Sequence, residues 1–423
     1  MQLQSAPNSI ADRAAEHEAP ASRQQPHPQG GEIARVTLLT GGGDKPYALG
    51  VAQALVAQGI SLDFIGSNDV DGPALHDTPL ITFLNLRGDQ RSDVSPVKKA
   101  LRVLAYYWRL VLYAARAESR IFHILWNDRL EFIDRTVLML YYKLLGKRIV
   151  LTAHNVNAGK RDANDSLLNR LTLRIQYRLA DHIFVHTDKM KREIVADFGV
   201  RTDRVTVIPF GLNDTVPHTA LTAREARRIL GVGETDKTIL FFGHIAPYKG
   251  VEYLVTAFAD VLKSHPNGRL VIAGRVKESP DYWRLVEGEI ARGGVAERII
   301  QQIEFIPDDR TELYFKAADV LVLPYTHIFQ SGVLVLGYSF GLPVIASDVG
   351  SLRDEIVEGE TGYMFRPKDA TDLARAIRRY FASDLYQELE LRRPQIREYA
   401  RQRYSWTTVG EITRDVYARL VAR

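Results

Sequence analysis

The chain contains no cysteine among its 423 residues. That excludes a disulfide framework, a zinc–thiolate site, an iron–sulfur cluster and a cysteine nucleophile. Nor does it hold a window of the roughly 18 uninterrupted apolar residues that a transmembrane helix needs; the nearest, 101–115, is broken by Arg102 and Arg109. A marked charge of one sign is missing too. Fifty-five basic residues face 51 acidic ones, a net of +4, too small to argue for nucleic acid without a local patch. What is present is ordinary: 46% hydrophobic and 25% charged residues, the balance of a globular protein and not of a disordered or fibrous one. The length suits two or three domains. A cytoplasmic protein is expected, with any membrane contact peripheral and on the inner face of the plasma membrane.

Residues 1–32 are rich in Gln, Ser, Pro, His and Ala. They lack the apolar core of a signal peptide and the large side chains needed to bury a core, so a disordered tail is expected. Beyond them, apolar runs at 34–39, 61–65, 121–125, 148–153 and 182–186 alternate with helical patterns at 47–58, 135–145 and 166–179. A polar, proline-containing stretch at 214–221 interrupts the pattern. It restarts with strands at 238–242, 269–273, 303–305, 320–324 and 343–346 and helices at 251–264, 311–318 and 332–340, and ends on a helix at 406–421. Strands alternating with helices predict parallel sheets covered on both faces. The expected fold is therefore α/β, with two Rossmann-like doubly wound domains at 33–215 and 216–400. Residues 401–423 form a C-terminal helix packing back on the first domain. Two such sheets in tandem place a central cleft between their carboxyl ends, where ligands bind in this architecture.

In the second half, the strand at 238–242 runs into Gly243 and on to Lys249-Gly250 before the next helix. A lysine entering a helix there offers a phosphate a point charge; it is equally readable as a solvated loop lysine. The strand at 320–324 leads to Gln330-Ser331-Gly332-Val333 and a helix. A Ser-Gly pair at a helix start exposes free N–H groups with the positive end of the dipole behind them. Ser331 also reads as a plain N-cap, and the two roles are compatible. Asp308-Asp309 reads as a helix cap.

The segments FFGHIAPYKGVEYLV, RLVIAGR, IEFIPDDRTELYFKAADVLVLPY, QSGVLVLGYSFGLPVIASDVG and EIVEGETGYMF follow one another between residues 237 and 365. In order and spacing they resemble the donor-binding domain of retaining family-4 (group 1) glycosyltransferases of GT-B fold. The glycine-rich loop after the first strand, LTAHN and IPFGLN make the first half similar to that family's acceptor domain. The resemblance implies transfer, with retention, of a sugar from a nucleotide-diphosphate donor to a glycan or lipid-linked acceptor, in exopolysaccharide or cell-surface glycan synthesis. It implies no cofactor and no metal, the nucleotide sugar being a substrate.

Carried over residue by residue, Lys249 matches the family's diphosphate-binding lysine. Its arginine companion falls near His244 or Ala246 and is missing. The usual pair of glutamates falls on Phe329 and Gly337, so this chain belongs with the QSGV subtype. There Gln330 and the N–H groups of Ser331, Gly332 and Val333 grip the diphosphate. Arg275 is a candidate replacement cation, or else a surface arginine. Phe305, Ile306 and Pro307 match the segment that reads the nucleobase. Lys249 and His154 are the expected catalytic residues, acting on charge that develops on the leaving diphosphate.

The first-half loop Gly41-Gly42-Gly43-Asp44-Lys45-Pro46-Tyr47 does not meet the GxGxxG dinucleotide pattern, because position 46 is proline. By resemblance it lies near the transferred sugar, with Lys45 and Tyr47 contacting phosphate or acceptor hydroxyls. His154 ends a strand and is placed to donate a hydrogen bond to a sugar hydroxyl; Asn155 and Asn157 add polar contacts. His186 reads as support for the sheet edge. Lys160, Arg161 and Asp162 form a charged loop suited to an anionic acceptor.

Residues 98–150 hold eleven basic and four acidic residues, a local +7. Arg102, Arg109 and Arg116 recur every seven residues, joined by Tyr106 and Tyr113, while Leu101, Leu104, Trp108, Val111 and Ala115 form another face. This suits an anionic membrane surface, or else a solvated face above a core stripe; nucleic acid is not expected. Two other functions fit the fold. One is a sugar-nucleotide epimerase, which would need acid–base carboxylates not evident here. The other is a catalytically weak binding partner in a polysaccharide assembly complex.

Overall fold

The structure, a computed structural model, describes residues 33, 35–91, 94–157, 159, 165–213, 215–277 and 280–422. The expected tail at 1–32 and the loop of Lys160, Arg161 and Asp162 lie outside the described residues. Two compact units emerge. One runs to Gly211 and resumes at Ser405; the other spans Leu212–Tyr404.

In the first unit, β1 (Arg35–Leu39), β2 (Ser61–Ile65), β3 (Ile81–Leu84), β4 (Ile121–Ile124), β5 (Arg148–Thr152), β6 (His182–Val185) and β7 (Val205–Val207) make one sheet in the order β3-β2-β1-β4-β5-β6-β7. All its neighbouring strands are parallel. The second unit carries β8 (Lys237–Phe242), β9 (Gly268–Ala273), β10 (Ile299–Gln302), β11 (Val320–Leu323), β12 (Val344–Ser347) and β13 (Gly362–Phe365), ordered β10-β9-β8-β11-β12-β13 and again all parallel. Helices cover both faces of such sheets, which is why β4, β6, β11 and β12 are buried along their whole length. Each sheet reverses its winding once, between β1 and β4 and between β8 and β11. The loops leaving those strands lie at the topological switch point.

The strand expected at 303–305 is β10, four residues earlier. β10 is an edge strand of which only Ile299 is fully buried. Its polar Gln301-Gln302 end broke the apolar run, and 303–305 is loop.

The chain leaves the second unit at Tyr404 and not at 400, because Leu389–Arg403 is a continuous helix whose last turn is held by Glu355. The Glu355 carboxylate accepts from Arg403 Nε at 2.9 Å and from the Tyr404 hydroxyl. The helix Trp406–Val421 then lies on the helix Lys45–Ala57 of the first unit. Gly50 and Gly410 make this approach feasible: a Cβ on Gly50 would sit 2.0 Å from the Trp406 ring, and one on Gly410 would sit 2.6 Å from the Ala54 carbonyl. Tyr417 reaches His123 Nδ1 at 2.6 Å beneath them.

The helix Pro96–Arg116 buries Tyr106, Leu110 and Ala114. Leu101, Leu104 and Trp108, read as a stripe that would cover the core, are instead 61%, 63% and 66% exposed. Tyr106 and Tyr113 leave the basic face. Tyr106 packs under the Arg87 guanidinium, and Tyr113 bonds to Asp63 and Thr37 at 2.7 Å.

Candidate active site

In the first unit the switch-point loops interlock. Gly41 and Gly42 have left-handed φ of 56° and 71°. A Cβ would come within 2.1 Å of the Trp126 carbonyl at Gly41, 2.3 Å of the Arg87 guanidinium at Gly42 and 2.0 Å of the Trp126 ring at Gly43. Gly41 and Gly43 are therefore required by close packing against the loop after β4, and Gly42 lies against Arg87 from the loop after β3. Arg87 is itself held by Asp128, Nε to Oδ2 at 2.7 Å, with both side chains 7% exposed. Lys45 gives its ammonium to the Asp69 carbonyl at 3.0 Å.

Tyr47 does not lie open on this loop, as a ligand-contacting side chain would. It is 2% exposed and sits in an aromatic cage. Around it, at ring-centroid distances of 4.7 to 5.5 Å, stand His154, Phe210, Trp126, His186 and Trp406. His154 stacks face to face on Trp126, 4.0 Å between centroids and 5° between planes. The loop beyond it is pinned by Tyr177, whose hydroxyl donates to the Val156 carbonyl at 2.7 Å. Asn155 is half-buried on that loop. Asn157 is committed to the fold, accepting from Asn169 at 2.9 Å.

The hydrogen bonds of this cage fix a tautomer. His186 Nδ1 lies 3.3 Å from the Ile208 carbonyl, and His186 Nε2 lies 3.0 Å from His154 Nδ1. A carbonyl only accepts, so the His186 proton is on Nδ1 and its Nε2 is the acceptor. His154 then donates from Nδ1, and its Nε2 carries a lone pair. That buried Nε2 has no hydrogen-bond partner among the described residues. Burial, and then the neighbouring His186 and His123 imidazoles, push the His154 pKa well below its usual value, against a smaller pull from the Leu125 carbonyl. Burial likewise holds His186 down to about 4. Both rings are neutral at pH 7. His154 thus offers a neutral acceptor where the sequence suggested a donor. His186, read as edge support, is the group that orients it.

In the second unit the loops leaving β8 and β11 are drawn together at glycines. A Cβ on Gly250, whose φ is 65°, would meet the Pro324 carbonyl at 2.1 Å. Thr326 N donates to the Tyr248 carbonyl at 2.8 Å. Lys249 is 7% exposed, with Nζ 3.8 Å from the Tyr325 ring centroid and 5.2 Å from that of Tyr248. The Tyr325 hydroxyl reaches Ser331 Oγ at 3.3 Å. Ser331 caps the helix Gly332–Ser339, accepting from Leu334 N at 3.3 Å. The N–H groups of Gly332 and Val333 have no acceptor among the described residues. The Gln330 Oε1 beside them is buried without a donor. Ser351 Oγ donates to the Phe329 carbonyl at 2.8 Å, and Ser347 Oγ to that of Tyr325, so this loop is rigidly backed.

A lysine, an unpaired acceptor and two free amides thus surround one helix start. Phe329, 6% exposed, and Gly337, whose Cβ would press on Leu321 at 2.7 Å, face the interior. A glutamate at Gly337 would have to displace the Leu321 side chain. Ala246 is fully buried, while His244 is exposed.

Arg275 is exposed, its guanidinium 5.7 Å from the Phe305 ring, which is itself 64% exposed. Ile306 is buried and Pro307 half-buried. Asp308 and Asp309 are the first residues of the helix Asp308–Ala317, not its cap; they face the positive end of its dipole, and Asp308 accepts from Thr215 Oγ1 at 2.8 Å. Among the described residues no three His, Asp or Glu side chains gather as metal ligands. Trp126, Phe210 and Trp406 went unnoticed in the sequence; Phe210 lies in IPFGLN and was the one with a local signal.

Two doubly wound units, the second with a lysine and free helix amides at its switch point, define the α/β class of GT-B proteins. Residues 222–403 match the model of the glycosyl transferases group 1, and residues 41–216 that of glycosyltransferase family 4. Each half of the chain thus carries a glycosyltransferase domain. An uncharacterized glycosyltransferase of Methanocaldococcus jannaschii is 30% identical over 54% of this chain and 57% of its own, so that match spans little more than half of the relative. The D-inositol 3-phosphate glycosyltransferase of Corynebacterium aurimucosum is 22% identical over 89% of this chain and 91% of its own. Among solved structures, sucrose-phosphate synthase of Thermosynechococcus elongatus superposes with a TM-score of 0.73 at 21% identity, over 92% of this chain and 99% of that one. Anabaena HepE, solved in complex with UDP and glucose, gives 0.70 at 18% identity, over 92% and 100%.

Proposed function

We propose that the protein transfers a sugar from a nucleotide-diphosphate donor to a hydroxyl of a glycan or lipid-linked acceptor, with retention, in the assembly of an exopolysaccharide or cell-surface glycan. The observation that carries the reading is the grouping of Lys249 and the Gly332 and Val333 amides at one helix start. As the glycosidic bond breaks, negative charge moves onto the diphosphate. The buried cation and the helix amides supply the positive charge that stabilises it. His154 Nε2 accepts from a hydroxyl of the donor sugar and so sets its orientation. Phe305 and Arg275 hold the nucleobase side of the donor.

The relatives and the HepE complexes with UDP and with UDP-glucose support a nucleotide-sugar donor. The test pairs binding with turnover. A panel of nucleoside diphosphates is screened by thermal shift, and the matching nucleotide sugars are then assayed for transfer and hydrolysis. Lys249→Met, which keeps the side-chain volume, is expected to lose the shift and roughly a hundredfold or more of kcat, as when a charge-stabilising donor is removed. Transfer by that variant at the wild-type rate overturns the reading. Ligand-induced stabilisation without any turnover by the wild type favours a binding partner instead.

A further inference from the structure

Large apolar side chains are not scattered over this molecule. Seventeen are exposed among the described residues, and thirteen of them lie between Val97 and Leu171. Monomeric soluble proteins rarely leave such groups together. Leu101, Leu104 and Trp108 form a stripe along the helix Pro96–Arg116, on the side away from its buried Tyr106, Leu110 and Ala114. Exposed apolar side chains recur on the segments that follow in the sequence. Phe132 and Leu144 are 54% and 86% exposed, and Leu167 is 84% exposed. These elements are bonded to one another. Tyr107 donates to Asp134 at 2.8 Å and Tyr141 to the Val111 carbonyl at 3.0 Å. Arg135 donates to Asn169 of the helix Leu167–Leu179 at 2.8 Å.

One border of the stripe is cationic. Lys98, Arg102, Arg109 and Arg116 fall on one row at spacings of four, seven and seven, beside Leu101 and Trp108 on the helical wheel. Arg109 and Arg116 have no carboxylate in ion-pair range among the described residues. The helix carries no acidic residue at all. A second copy laid on this face would bring arginine rows together without counter-charges. A layer of anionic headgroups above an apolar interior complements both features: the cations meet phosphates while leucine and tryptophan enter the acyl boundary. No helix among the described residues is long and apolar enough to cross a membrane, so the contact would lie on the surface.

We propose that the face built on Leu101, Leu104, Trp108 and the Arg109–Arg116 row docks the first unit onto an anionic lipid surface. This stands independently of the transferase reading. The test is co-sedimentation of the full chain with vesicles of two parts phosphatidylcholine to one part phosphatidylglycerol, and with phosphatidylcholine alone. Wild type is expected to pellet with the anionic vesicles only and to be released at high ionic strength. The triple variant Leu101→Ser, Leu104→Ser, Trp108→Ser is expected to lose roughly tenfold or more of the bound fraction, with an unchanged melting curve because the side chains are exposed. The double variant Arg109→Glu, Arg116→Glu is expected to do the same, and serves should the triple variant fold poorly. Three results overturn the proposal: wild type left in the supernatant, variants that pellet like wild type, or a wild-type dimer by light scattering that the triple variant turns into a monomer. The last would give the face to a second copy of the chain.

Discussion

Nε2 of His186 stands 3.0 Å from Nδ1 of His154, and the Ile208 carbonyl behind His186 determines which of the two carries the shared proton. The chain of donors leaves His154 Nε2 as an acceptor. In the ligand-free protein at pH 7, 15N-edited imidazole spectra are therefore expected to show Nε2 of His154 unprotonated and Nδ1 protonated. A protonated Nε2 contradicts the relay. His186→Phe removes the acceptor and leaves a buried donor unpaired, a loss of about 1–3 kcal/mol. If His154 orients the sugar, kcat falls roughly tenfold or more with KM less affected, and His186→Gln, which restores an oxygen acceptor, recovers part of it. Equal loss in both variants would mean that His186 is needed only for packing.

The same buried imidazoles make the first unit acid-sensitive. Burial lowers His123 to about 3 and His186 to about 4, and His154 falls well below 6.5. Below pH 6.5 the unfolded chain takes up protons that these folded rings refuse. Their contribution is whole above that pH and falls as pH drops, by up to about 1.4 kcal/mol per pH unit for each histidine. Asp134, held up to about 6 by burial, opposes this below pH 6, because the folded chain protonates it first. It is one group against three. Three of the four tryptophans, Trp108, Trp126 and Trp406, belong to the first unit and only Trp283 to the second, so denaturant unfolding followed by tryptophan fluorescence reports mainly on the first. The midpoint is expected to fall steadily from pH 6.5 to 4.5. A flat profile over that range refutes the assignment of three neutral, buried histidines.

The two sheets were legible because strands buried on both faces read as short apolar runs, and β1, β5, β8, β9 and β11 announce themselves that way. β10 did not, since this edge strand buries only Ile299 fully and ends on two glutamines. At the second site, Lys249 could be read because it stands beside Gly250, which its loop needs, and Ser331 because it is a helix cap. The cage of the first unit could not. Trp126 comes from the loop after β4, His186 from the end of β6, and Trp406 from a helix that begins after the second unit is complete. Only tertiary packing brings them to Tyr47, and no local period carries that information. The helix Pro96–Arg116 misled for a related reason. It is apolar on two sides, and the sequence alone does not say which side meets the sheet.

The point where the chain leaves the second unit rests on a buried charge. Glu355 and Arg403 side chains are 8% and 13% exposed, with Oε2 and Nε 2.9 Å apart, and the Tyr404 hydroxyl bonds to the same oxygen. Tyr338 donates to the Glu355 backbone carbonyl at 3.0 Å, so the carboxylate is presented from a fixed main chain. Removing one partner of such a pair strands the other charge away from water. Glu355→Ala is expected to destabilise the second unit by about 3–5 kcal/mol, while replacing both residues by methionine is expected to cost much less, since no charge is then left buried. Arg403→Met alone should resemble Glu355→Ala. Urea unfolding of the four proteins, followed by far-ultraviolet circular dichroism, ranks them. If Glu355→Ala unfolds within roughly 0.5 kcal/mol of wild type, the scale of a surface substitution, the pair is not holding the end of the Leu389–Arg403 helix. A double variant as unstable as either single one would instead assign the loss to the shape of these side chains, and the charge would be incidental.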